Sequence, residues 1–375
     1  KYTAAAALAG SIDLLSADLS AQQESFVSEV IATLIDMYTK QISKNEHISL
    51  GVSAALIECS EFFRHPEKHM NPVFNFIFES GLSDQVAPDE FVNAGLSIVY
   101  QQGEKNKEHL INLFENFLKD SKSKDDYIVG SVVVFLGTVA KHLQASDNRL
   151  TMVIDRLIQT LNVQSNTVQQ SVATALAPLV KILNSRKIEA NQAKIDELIE
   201  RLLSGLKKGK SYGDRRGMAW GLAGTTKGLG VPSLYKVLKK LHVVLIKDGK
   251  NDKKAKEGVL LAYECLARMF GRLFEPYLVE VIPNIVFEGF SDSSKDVREC
   301  ANDAATQVMA HMTGHGVRMI LPGILKSVAA ENTTNWRQKK ANIQLLGHMA
   351  YCAPRQLATD LPVVVRALTQ NLTDA

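Results

Sequence analysis

The sequence predicts an all-α protein, an α-solenoid (superhelix) of about nine stacked helix pairs. Three observations carry that prediction. Amphipathic segments with helical apolar spacing alternate with short polar turns, helix breakers are scarce inside the apolar runs, and the same turn-then-helix pattern returns at a nearly fixed interval. A chain of 375 residues, 46% hydrophobic, can bury a large core and would ordinarily divide into two or three domains. A repeat array is the exception, so the expectation is one continuous array over residues 1–375.

The segments that open the inner helices are, in order, "NEHISLGVSAALIECSEFF", "PDEFVNAGLSIVY", "DDYIVGSVVVFLGTVAKHL", "SNTVQQSVATALAPLVKIL", "GDRRGMAWGLAGTTKGLG", "DKKAKEGVLLAYECLARMF", "SKDVRECANDAATQVMAHM" and "NTTNWRQKKANIQLLGHMA" with its doubled threonine collapsed. Their matched positions are Ile48, Phe91, Ile128, Val168, Arg216, Ala255, Val297 and Trp336, spaced 43, 37, 40, 48, 39, 42 and 39 residues apart. Partner helices are expected near 24–41, 70–82, 107–119, 149–162, 193–207, 233–247, 277–290, 316–329 and 357–372. Pro283, Pro322 and Pro362 recur 39 and 40 residues apart and should bend the outer helices. The stretch "SDSSKDVRECANDAA" from Ser291 resembles the HEAT-repeat signature, in which an Asp caps the helix start, the Val is buried and the Arg reaches across to the next repeat. The pairs are therefore read as HEAT type. Each has an apolar face that it cannot bury alone, so stacking supplies the core. An inner helix opens the chain and an outer one ends it without a polar cap, from which a piece of a longer solenoid is expected.

Composition narrows the function classes. No apolar run approaches the length of a membrane span, so no membrane partner is expected, and Lys1 opens no charged-then-apolar leader. Cys59, Cys265, Cys300 and Cys352 are widely spaced, without a C-x-x-C pair, and read as buried reduced thiols of a cytoplasmic or nuclear protein. The net charge of +3 conceals an uneven layout: residues 1–100 hold 5 Lys/Arg against 13 Asp/Glu, and residues 201–250 hold 12 against 2.

Four local patterns invite a chemical reading. Gly205, Gly209, Lys210 and Ser211 spell G-x-x-x-G-K-S, one residue short of a phosphate-binding loop and preceded by a helical rather than a strand pattern. His65 and His69 in "HPEKH" lack the glutamate placement of a zinc protease, and His311 and His315 in "HMTGHG" read as a helix C-terminus. No metal, cofactor or catalytic set is expected. Gly217, Gly221, Gly224 and Gly228 fall on one helix face, which points to close approach of a neighbouring helix, with Thr226 expected to be exposed. Lys207, Lys208, Lys210, Arg215 and Arg216 cluster at one inter-helix loop, and Lys250, Lys253, Lys254 and Lys256 at the corresponding loop one repeat later. Stacking should bring both to one edge, where they would suit a polyanion such as ribosomal RNA held by its phosphates.

The blocks "YGDRRGMAWGLAGTTKGLG", "DVRECANDAATQVMAHMTGHGVRMILPGIL" and "NWRQKKANIQLLGHMAYCAPRQLATDLP" resemble the central, elongation-factor-three-like region of the general-control translational activator family, giant HEAT scaffolds of the amino-acid starvation response. The resemblance is strongest over residues 212–375. It departs at Met218–Trp220 and at the insertion-like "ENTTNW". It implies a non-enzymatic cytoplasmic adaptor that binds the ribosome, through RNA or protein, and an ABC-type ATPase. It also implies support of the kinase of translation initiation factor two through regions outside these residues. A karyopherin-type transport receptor and the HEAT region of elongation factor three are the alternatives; an enzyme is a third class.

Overall fold

The computed structural model describes residues 2–15, 21–40, 45–119, 125–185, 189–249, 252–310, 312–329 and 336–371. Among them every regular element is helical and no strand occurs. The chain divides into two compact units, Lys1–Leu183 and Asn184–Ala375.

In the first unit α1 (Tyr2–Leu15), α3 (Glu46–Glu58), α5 (Pro88–Gln102) and α7 (Asp126–Ala140) pack one against the next. Alternating with them in sequence are α2 (Ala21–Thr39), the helical stretch 66–81 centred on α4 (Asn71–Phe76), α6 (Lys107–Lys119) and α8 (Arg149–Thr160), after which comes α9 (Asn166–Ser185). In the second unit α11 (Tyr212–Leu229), α13 (Lys253–Phe270), α15 (Lys295–Met309) and α17 (Trp336–Cys352) form such a row. Before, between and after them in sequence come α10 (Glu189–Lys208), α12 (Val231–Lys247), α14 (Leu278–Asn284), α16 (Gly314–Ala329), α18 (Pro354–Ala358) and α19 (Leu361–Asn371). Each unit is thus a stack of helix pairs, the α-solenoid arrangement.

The polar turns fix where helices start. Asn45, Asp125 and Asp252 accept from the His47, Tyr127 and Lys254 amides at 2.9, 2.7 and 2.9 Å. Ser211 and Asp214 form a reciprocal capping box at 3.0 Å each way. Each such cap contributes about 1 kcal/mol by giving an orphan helix N–H a partner. Apolar positions then face the stack: Phe91, Val168, Ala255 and Val297 are wholly buried. In the first unit Phe74, Phe114 and Phe135 interlock, with Phe74 edge-on to Phe114 at 5.0 Å. Such pairs add roughly 0.5–1.5 kcal/mol beyond the area they bury.

Polar side chains tie successive pairs together. Asp84 accepts from Tyr38 Oη at 2.5 Å, Ser49 Oγ at 3.0 Å and the Val86 and Ala87 amides at 2.7 and 2.9 Å. Asp89 accepts from Tyr127 at 2.6 Å and Thr167 at 2.9 Å, so one carboxylate of α5 reaches both α7 and α9.

Several expectations are corrected. The inner-helix register slips at Arg216, where the buried residue is Arg215, and at Trp336, which is 64% exposed. Pro283 and Pro322 lie inside α14 and α16, but Pro362 is the second residue of α19, where no intrahelical N–H is needed and no bend follows. The "HMTGHG" stretch ends no helix at His315. Gly314 begins α16, and Glu275 caps that start by accepting from the Thr313 and Gly316 amides at 2.9 and 2.8 Å. His311 lies outside the described residues. Arg298 donates to the Asp292 and Ser293 carbonyls at 2.8 Å, in its own turn rather than the next repeat. Thr226 is fully buried, its hydroxyl donating to Leu222 O at 2.6 Å.

Gly217, Gly221 and Gly224 are buried in α11, which packs against α10 and α13, while Gly228 is partly exposed. That the four as a set admit a neighbouring helix remains a proposal. A close approach in the same cluster lies at Gly258 of α13, where a Cβ would fall 2.3 Å from the Leu206 carbonyl oxygen of α10. Gly258→Ala should therefore destabilise by about 1–3 kcal/mol through overpacking. Gly347, inside α17 with nothing within 4 Å of its Cβ direction, should behave oppositely. Gly347→Ala should stabilise by about 0.5–1 kcal/mol through lost unfolded-state entropy. Urea unfolding of the two variants reads the sign; shifts of the same sign would overturn the packing assigned to Gly258.

Candidate functional site

The basic residues singled out in the sequence surround two turns of the second unit, one between α10 and α11 and one between α12 and α13. Lys207 and Lys208 occupy the last turn of α10, where cations meet the negative end of the helix dipole. One turn into α11, Arg215 folds back and donates to the Gly209 carbonyl at 3.0 Å. Gln169 and Arg298 do the same one turn into α9 and α15, binding carbonyls of the preceding turns at 2.8–3.1 Å. Arg215 also forms an ion pair with Glu257 of α13, both residues being buried. Arg215 is therefore a structural residue and leaves the candidate site.

Two of the lysines are similarly engaged. Lys207 meets Asp248, in the α12–α13 turn, at 3.0 Å. Lys256, mostly buried, meets Asp292 at 2.8 Å and Glu288 at 3.3 Å, in and before the turn into α15. Burial alone would lower the Lys256 pKa, but the two carboxylates raise it above its ordinary value. Burial would likewise raise Asp292, yet Lys256 and the Ser294 amide hold it below the usual carboxylate value. These pairs join one turn to the next and set the three turns along one edge of the unit.

Four cations remain at that edge. Lys208, Lys210, Lys253 and Lys254 are exposed and make no ion pair among the described residues. Arg216 is partly exposed with its guanidinium 5.7 Å from the Tyr212 ring centroid. Lys250 lies outside the described residues. The arrangement offers ammonium groups on flexible stems, suited to phosphate oxygens as point charges and not to base reading.

Other chemistries find no support. Residues 205–211 run from the last turn of α10 through the short turn into α11, without the strand that a phosphate-binding loop requires. No cluster of three or more His, Cys, Asp or Glu residues could hold a metal ion among the described residues. His65 Nδ1 accepts from the Lys68 amide, capping a helical turn, and the His69 ring lies 3.2 Å from the Glu24 carbonyl. Burial, the main cause, pushes the Cys59 and Cys300 thiols up to about 12, which keeps them protonated and unreactive. The Cys352 side chain lies outside the described residues. No helix among them is long and apolar enough to cross a membrane.

The sequence reading missed the acids that remove cations from the edge: Asp248, Glu257, Glu288 and Asp292. A signal for them existed. Lys207 and Asp248 are 41 residues apart, and Arg215 and Glu257 are 42 apart, one repeat period in each case.

Two outcomes follow from this geometry. Glu257→Gln should cost about 3–5 kcal/mol in urea unfolding because it strands the Arg215 charge inside the stack, while the joint Arg215→Met, Glu257→Leu change should restore most of that. A single variant as mild as the double one would show that the pair is not desolvated. The depressed Asp292 pKa gives stability that is complete above its ordinary value of 3.8 and lost as the pH falls through its lower folded value. The stability gap between the parent chain and Asp292→Asn should therefore be constant at neutral pH and close in acid; a gap unchanged down to pH ~2 would refute the linkage.

Comparison with known proteins places these features in a family. Residues 215–375 match the elongation factor three N-terminal HEAT repeat, and residues 3–141 match the HEAT repeats of the stalled ribosome sensor GCN1. The eIF-2-alpha kinase activator GCN1 of Dictyostelium discoideum is 34% identical over 93% of the chain, and the stalled ribosome sensor GCN1 of Homo sapiens is 38% identical over 87%. The chain spans 13% and 12% of the lengths of these relatives. Elongation factor 3 of Gonapodya prolifera is 29% identical over 32% of the chain, covering 11% of that protein. Among solved structures, importin beta aligns with a TM-score of 0.44 at 13% identity, over 95% of this chain and 48% of that one, too loosely to argue from. Over most of its length the chain is therefore a homologue of the GCN1 proteins, with segments that match the GCN1 and elongation-factor-three HEAT-repeat models.

Proposed function

We propose that the chain is a non-catalytic, cytoplasmic segment of a GCN1-type activator of the eIF-2-alpha kinase, and that its part in that task is to hold the ribosome. Homology to proteins named for stalled-ribosome sensing and kinase activation supports the task. The observation that carries the segment's own part is the row of exposed lysines without an ion pair among the described residues: Lys208, Lys210, Lys253 and Lys254 on one edge. The contact is to ribosomal RNA or protein phosphates and carboxylates, and an ABC-type ATPase shares the complex through the elongation-factor-three-like repeats of residues 215–375. The kinase is engaged by regions outside these residues. The two compact units are proposed to belong to one uninterrupted array, itself part of a longer scaffold. A second reading, the HEAT region of an elongation factor three, draws on that same matched segment. Two ATP-binding cassettes in the same polypeptide would favour it.

Ribosome co-sedimentation across a salt series tests the proposal. Binding should fall steeply with salt, since each neutralised phosphate releases condensed counterions. Lys208→Glu, Lys210→Glu and Lys253→Glu together should reduce co-sedimentation and flatten the salt dependence. The matched reversal of Lys40, Lys105 and Lys119, exposed cations of the first unit, should leave it nearly unchanged. Equal binding by the two triple variants would reduce the edge to a solvated surface.

A further inference from the structure

Between α15 and α17 runs a groove of about 690 Å³ whose lining the family comparison and the lysine edge leave unexplained. One wall carries Lys295, Arg298 and Glu299 of α15; the other carries Trp336, Lys340 and Gln344 of α17, spaced four residues apart and so on one helix face. Trp336 is 64% exposed, whereas Trp220, the other tryptophan, is 2% exposed. An indole in water forfeits the burial that makes tryptophan useful in a stack. Here it also carries the Arg337 guanidinium, 5.2 Å from its ring centroid.

The charges around the indole favour an anion. The groove's lining holds four cations, Lys295, Arg298, Arg337 and Lys340, against two acids, Glu299 and Asp303, and Glu299 is paired with Lys295 at 3.2 Å. Lys340 is exposed without an ion pair among the described residues, one turn along the face from Trp336. The groove therefore offers a flat π-surface, a cation within reach of it, and the Gln344 amide beyond. An acidic peptide would use the cations and waste the indole. An apolar peptide would use the indole and leave the cations facing it. An unpaired nucleotide uses both, because every base has a π-face and brings its phosphate with it.

We propose that the α15–α17 groove is a stacking site for unpaired nucleotides of a single-stranded nucleic acid, one base lying on Trp336 and its phosphate against Lys340. This goes beyond the lysine edge, which would hold phosphates of any strand without touching a base.

Intrinsic fluorescence reads the site directly, because Trp336 responds to solvent and ligand while buried Trp220 supplies a constant background. An oligouridylate about twelve nucleotides long should quench and blue-shift the emission, and duplex RNA or polyphosphate should not. Trp336→Ala should weaken binding of a labelled oligouridylate, read by anisotropy, by about tenfold or more, and Trp336→Phe should recover most of it. Since Trp336 is mostly exposed, circular dichroism and thermal unfolding should show the fold retained. Oligodeoxyuridylate quenching to the same extent marks a site for either kind of single strand; a response to the ribo-oligomer alone marks contact with the 2′-hydroxyl. The Lys208, Lys210, Lys253 charge-reversal variant should keep the full quench at saturation, so loss of ribosome binding there and loss of stacking here are separate results. The proposal is overturned if saturating oligouridylate leaves the emission unchanged, if polyphosphate quenches equally, or if Trp336→Ala binds as the parent does.

Discussion

A helix pair in this chain has apolar surface on both flanks and nothing within itself to cover either, so its stability depends on the pair before and the pair after. Everything else in each unit follows from that constraint. Phe91, Val168, Ala255 and Val297 are buried because each faces the row of helices. Gly258 is glycine because α10 and α13 meet there backbone to backbone, with the Leu206 carbonyl occupying the space a methyl group would take. In such a stack, nearest-neighbour interfaces set the stability, and a change at one interface is felt chiefly by the two pairs that share it.

Stacking also sorts the charges. A cation that falls between two pairs must be matched inside a low-dielectric seam, and the matching acid must come from the next repeat. Arg215 with Glu257 and Lys256 with Asp292 are such pairs. A lone charge there would carry a desolvation penalty that no surface pair approaches. Lys208, next to the paired Lys207, and Lys254, two residues from Lys256, are exposed and face no such demand. The same cluster of basic residues therefore splits into a structural half that holds turn to turn and an exposed half available to a partner.

The two candidate binding surfaces of the second unit differ for the same reason. At the lysine edge the helices end, so side chains project from turns and present charge alone. In the α15–α17 groove two helix faces run side by side, so a planar ring, a cation and an amide can be set at helical intervals. The first arrangement suits any phosphate backbone and the second suits a base together with its phosphate.

The repeat period and most helix boundaries were legible in the sequence, because they depend on local chemistry: polar residues at turns and apolar residues at helical spacing. The Asp expected to cap α15 does not do so, since its N-cap is Ser294 without a side-chain bond. The failures are as local in cause. Arg215 and Arg216 are adjacent and alike in composition, and only the packing of α11 on α13 decides that the first is buried against Glu257 and the second is not. Thr226 reads as an exposed polar residue, yet its hydroxyl satisfies itself on the Leu222 carbonyl and can be buried. Glycines at 314 and 316 mark a helix start instead of an end because Glu275, from 38 to 41 residues earlier, supplies the acceptor. The sequence by itself determined that this chain is a stack of helix pairs and that positive charge gathers at two successive turns. Only the tertiary structure decided which of those charges reach solvent and that Trp336 stands exposed beside a groove, since burial and ion pairing are set by residues one full repeat away.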